Sequence, residues 1–88
     1  MFQQPTPRTG TKAEHSAAYL HLPPLLKALR EEAGLTQRQM GQRLNKPQSW
    51  VYNCEAANRR VDVTEFIAWV RAYGGEPSVA LVRLLNVL

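Results

Sequence analysis

Residues 36–55, TQRQMGQRLNKPQSWVYNCE, decide the fold. Thr36 has Gln39 three positions on, the pairing of a capping box: the hydroxyl accepts from a backbone N–H of the first turn and the amide reaches back to the cap. Leu35 and Met40 bracket that cap as a hydrophobic staple. The spacing predicts a helix ending near Leu44. Asn45 follows, and asparagine tolerates the left-handed backbone that a tight inter-helix turn demands. Pro47 suits a first helical position and opens a second helix to about Glu55. On it Val51 and Cys54 face inward, while Ser49 and Asn53 fall on the opposite side by the 100° step. Gly41 carries no side chain to block the approach of the second helix.

Outward from this stretch the pattern stays helical. Leu22, Leu25, Leu26, Leu29 and Ala33 share one face of a helix from about Pro23 to Ala33, and Gly34 ends it with a left-handed cap. Residues 15–22 fit a short helical turn that Pro23 and Pro24 interrupt or restart. A loop from Ala56 to Val61 carries Asn58, Arg59 and Arg60. A second capping box, Asp62 to Glu65, opens a helix that buries Phe66, Ile67, Val70 and Tyr73 and stops at Gly74 and Gly75. A last helix starts at Pro77. Residues 1–13 carry Pro, Gly and Thr without apolar periodicity and read as a flexible tail. Residues 14–88 then form one compact, all-α domain of five short helices.

The composition narrows the chemistry. The chain has 88 residues, one cysteine and a formal net charge of +4. Between residues 36 and 61 stand Arg38, Arg43, Lys46, Arg59 and Arg60 against a single acid, Glu55, whereas elsewhere acids and bases cancel. An excess confined to one stretch is the footprint expected for a polyanion. Cys54 has no intrachain partner, and no group of Cys, His, Asp and Glu has metal-ligand spacing, so no metal or other cofactor is expected. No nucleophile–base pair or paired carboxylate is placed to act, and His15 and His21 lack partners, so an enzyme is not expected. No apolar run approaches the ~20 residues that span a bilayer. A cytoplasmic, nucleoid-associated protein is the expectation.

A capped helix, a tight turn and a second short helix with a polar outer face make a helix-turn-helix, whose second helix enters a major groove. The sequence here resembles the Cro/CI-type regulators, also called the XRE family, whose fold is that of the lambda repressor. The matching residues are Gly34-Leu35-Thr36-Gln37, Leu44 through Val51 across the turn, Glu55, and Arg59-Arg60-Val61-Asp62-Val63 leading to Phe66. The resemblance covers about residues 23–75. Family members usually carry Gly where Asn45 stands and a small residue such as Ala at Gly41, and their Glu-Asn-Gly turn after the second helix reads Glu55-Ala56-Ala57-Asn58 here.

The resemblance implies a transcriptional regulator of double-stranded DNA, a repressor in the reading adopted here. Gln37 would bond a phosphate, and Gln48, Ser49, Tyr52 and Asn53 would face base edges. An amide such as Gln48 or Asn53 can contact adenine in bidentate fashion, and Arg38, Arg43, Lys46, Arg59 and Arg60 can hold phosphates without reading sequence. Arg30 and Glu55 are expected to form a partly buried ion pair, since the family has Arg and Glu at those positions. Trp50 either touches a thymine methyl or packs over the first helix or the N-terminal segment, and Cys54 belongs to the core. Residues 77–88 are mostly apolar, more than one helix face needs for its own core, so a homodimer through them on a pseudo-palindromic site is expected. The alternative is an antitoxin that binds a protein toxin and represses its own promoter.

Overall fold

The computed structural model describes residues 16–88; the tail expected over 1–13, and His15, lie outside the described residues. A 3-10 turn, Tyr19–His21, runs directly into helix α1, Leu22–Glu32, with the proline pair in its first turn. Pro23 and Pro24 therefore start the helix rather than break it, because the N–H they lack has no intrahelical partner at that position. Gly34, at φ +77°, closes α1. Its N–H donates to the Glu31 carbonyl at 2.9 Å, and Leu35 N–H donates to that of Arg30 at 3.2 Å. Ala33 falls at the C-cap and is exposed, so the apolar stripe of α1 stops one turn earlier than its spacing suggests.

Helices α2 (Gln37–Leu44) and α3 (Gln48–Glu55) follow. Both halves of the Thr36–Gln39 capping box are present, at 3.1 and 2.9 Å. Asn45 takes the left-handed conformation at φ 58°, ψ 44°. Pro47 is the N-cap of α3, one position before the helical start expected of it. Helix α4 (Val63–Ala72) opens on the Asp62–Glu65 box, and α5 (Pro77–Val87) completes the fold.

The core gathers Leu26, Met40, Val51, Cys54, Trp69 and Val70, all fully buried. Trp69 is the largest of these side chains, and its indole N–H donates to the Leu26 carbonyl at 3.2 Å across α1 and α4. Ile67 and Tyr73, expected inside, are only half-buried. Phe66, Trp69, Val70 and Tyr73 share one face of α4, and Ile67 stands about 100° from Phe66, at its margin. From α5 only Ala80 is buried, with Leu84 packed partly against the core. A two-bond ion pair, Arg83 to Glu32 at 2.6 and 2.9 Å, ties α5 to α1.

Candidate nucleic-acid interface

The α2–α3 unit is set by a backbone contact. A Cβ on Gly41 would stand 2.6 Å from the Lys46 carbonyl oxygen, closer than a packed side chain allows, and 3.3 Å from the Pro47 carbonyl carbon. With hydrogen there, the turn lies directly on α2, and the Lys46 N–H donates to the Gly41 carbonyl at 2.8 Å. Val51 and Cys54 point into the core, which leaves Gln48, Ser49 and Tyr52 exposed on the outside of α3. Asn53 is half-buried; its side-chain oxygen accepts from the Asn58 amide at 3.2 Å, which spends one end of the group on the following turn.

A chain of side-chain hydrogen bonds links the core to the outer face. Arg30 donates to both Glu55 oxygens, from Nε at 2.6 Å and Nη2 at 2.9 Å, and its Nη1 donates to the Leu35 carbonyl at 2.8 Å. These side chains are only 8% and 4% exposed, so the expected pair is present and buried. The bonds to Glu55 raise the Arg30 pKa above its usual value, against the burial that opposes the charge. Glu55 Oε1 also accepts from Gln37 Nε2 at 3.0 Å, and Gln37 Oε1 accepts from Gln48 Nε2 at 2.7 Å. Because both ends of the Gln37 amide are committed, the Gln48 amide is oriented with its oxygen and one N–H unused among the described residues.

The basic residues divide into two groups. Arg38, Lys46 and Arg60 are exposed, with no hydrogen-bonded or ion-paired partner for their cationic groups among the described residues. Arg43 instead donates to the Ala72 carbonyl at the end of α4 at 3.1 Å. By the helical step it stands well round α2 from Gln37. Arg59 forms two bonds of 3.2 Å with Glu65, reaches the Cys54 sulfur at 3.8 Å, and lies 4.8 Å over the Trp50 ring. Trp50 packs on Trp69 of α4, with ring centroids 6.4 Å apart, a partner the sequence does not point to. Lys46 Nζ lies 5.3 Å from its centroid. Cys54 is buried as expected, and burial pushes its thiol pKa up.

Two residues of this region take roles that the sequence does not announce. Glu65 is legible as a cap, and the structure adds its hold on Arg59. Tyr19 lies far up the chain yet is buried against the 59–61 loop, where its hydroxyl accepts from the Val61 N–H at 2.8 Å. Nothing local to residue 19 announces a partner 42 positions away.

A family model described as a helix-turn-helix domain matches residues 24–85. Among solved structures, an XRE-family like protein from Pseudomonas syringae pv. tomato is 40% identical, with a TM-score of 0.74; the alignment covers 91% of this chain and 98% of that one. The clp gene regulator ClgR from C. glutamicum shares the fold at 15% identity, with a TM-score of 0.72 over 84% of this chain and 96% of its own. A search of curated proteins gives no match. With both the motif geometry and a close relative in agreement, the chain belongs to the XRE family of helix-turn-helix proteins, a family of DNA-binding transcriptional regulators.

Proposed function

We propose that the protein is a sequence-specific repressor that reads the major groove of double-stranded DNA with α3. The observation that carries this reading is the Arg30–Glu55–Gln37–Gln48 chain, which holds an exposed amide in one orientation on the outer face of α3. A fixed amide loses less entropy on making a bidentate contact to adenine than a free one. Gln48, Ser49 and Tyr52 face base edges, with Asn53 contributing its amide end. Arg38, Lys46 and Arg60 hold phosphates, and Gln37, whose amide is bonded to Glu55 and Gln48, has one N–H left for a phosphate. Arg43 and Arg59 are already bonded to Ala72 and Glu65, so each joins them with its remaining N–H donors or by exchanging that partner. Binding would place the protein with the nucleoid, and occupancy of a promoter would exclude polymerase.

The bound species in this reading is a homodimer through α5. Leu81, Val82, Leu85 and Val87 are exposed there, and the charge on the helix, Arg83, is already paired with Glu32. Two such faces meet without charge repulsion, which makes the surface suited to a second copy. The recognition helices would then stand about 34 Å apart on a pseudo-palindromic site. Selection of bound duplexes from a random pool tests the whole reading: an inverted repeat is the expected result, and no enrichment over random DNA overturns it. An antitoxin would use the same α5 face for a toxin, and a stable monomer would favour that partner over a second copy.

A further inference from the structure

We propose that Tyr19, which lies outside the helix-turn-helix, is a positioning residue for DNA-backbone contact by Arg60. The inference rests on the DNA-binding reading above and adds a residue to it.

The loop between α3 and α4 is fixed from three sides. At its start, the N–H groups of Asn58 and Arg59 donate to the Asn53 carbonyl at 2.9 and 3.3 Å. In its middle, the Arg59 side chain is drawn inward onto Glu65 and Trp50. At its end stands Tyr19, whose hydroxyl accepts from the Val61 N–H at 2.8 Å and donates to the Arg59 carbonyl at 3.4 Å. One hydroxyl therefore serves the peptide groups on both sides of Arg60.

The ring does a second job. The Arg60 guanidinium lies 4.7 Å from the Tyr19 ring centroid, the geometry of a cation stacked on an aromatic face. Arg60 itself is exposed and is the outermost cation of this loop, since Arg59 is engaged with Glu65. A stacked guanidinium keeps its in-plane N–H donors open at the edge, where a phosphate oxygen can take them. Tyr19 thus fixes both the backbone that carries Arg60 and the plane of its head group, so that the contact forms with little further ordering.

Titrating the full-length protein onto a mixed-sequence duplex over a range of salt concentrations tests this directly. Each lost phosphate contact flattens the log–log salt dependence by roughly 1. Arg60→Ala and Tyr19→Leu are each expected to flatten it by that amount, and the double variant no further, because both remove one contact. Tyr19→Phe keeps the stack, loses the two loop bonds, and should give a smaller change of the same sign. An unchanged slope in Tyr19→Leu beside a flattened one in Arg60→Ala overturns the role of Tyr19 alone. No wild-type binding to the duplex even at low salt overturns the DNA-binding reading as well. Where Tyr19→Leu melts below the assay temperature, upfield ring-current shifts of the Arg60 δ-methylene protons in the wild type read the stack. Shifts retained in the complex support the proposal, and their absence overturns it.

Discussion

Arg30 and Glu55 place a charge pair inside a domain whose whole net stability is about 5–15 kcal/mol. Both are nearly inaccessible, and Glu55 serves Gln37 as well as Arg30. Removing the carboxylate leaves a buried guanidinium with the Leu35 carbonyl and, at 3.9 Å, the exposed Glu31 carboxylate, so Glu55→Ala should cost roughly 3 kcal/mol. In a domain of this size that lowers Tm by more than 10 °C, which a thermal melt will show. Glu55→Gln keeps one oxygen to accept from Gln37 but sets an amide NH2 against the Arg30 guanidinium, so the seat of the Gln48 amide should loosen and base preference is expected to relax even where the fold survives. Ala57 is a milder case. It sits at φ 61°, where the relatives' turn carries Gly and an L side chain is strained. Ala57→Gly should therefore stabilise the protein by about 0.5–1 kcal/mol, measurable as a rise in Tm.

At the scale of elements, the helix-turn-helix depends on backbone fit and on the brace beneath it. Gly41→Ala would drive a methyl group into the Lys46 carbonyl, a backbone atom with little room to yield. A cost of about 1–3 kcal/mol is expected, with weaker DNA binding as α3 is pushed off its seat. The α3–α4 loop is braced differently, by Arg59 between Glu65 and Trp50. Burial pushes the Glu65 carboxyl up, but the Arg59 bonds and the Asp62 N–H outweigh it and hold the pKa below its usual 4.5. A carboxyl depressed in the folded state binds its proton more readily when unfolded. Its contribution is therefore complete above about pH 4.5 and is lost as pH falls through the lower folded value. Melts of wild type and Glu65→Gln should converge on acidification, and a gap that does not change with pH would show that the carboxylate charge adds nothing to the brace.

For the whole molecule, the decisive feature is the imbalance of α5. It is held by Ala80, Leu84 and the Arg83–Glu32 pair, yet exposes Val82 at 52% and Leu85 at 59%. Leu85→Glu leaves the buried residues of the helix untouched. The monomer should fold as before; if this face joins two copies as proposed, light scattering should show the variant smaller than the wild type, and affinity for an inverted repeat should fall much further than affinity for a half-site. Loss of folding in this variant would mean that the face belongs to the core.

The sequence by itself determined the elements. Capping boxes at Thr36 and Asp62, Asn45 and Gly34 at left-handed positions, and apolar spacing are local, so they act through neighbours three or four residues away. Family resemblance added Arg30 with Glu55, a pairing no local rule contains. Tertiary structure alone decided which of the basic residues have no hydrogen-bonded or ion-paired partner among the described residues. Arg38, Lys46 and Arg60 share a composition with Arg43 and Arg59, but the last two meet Ala72 and Glu65 on another helix. It also decided that Trp69, rather than Ile67, fills the centre and that Tyr19 closes on a loop 42 positions away. Such contacts depend on how helices lie across one another, and side-chain periodicity along a single helix carries no record of that.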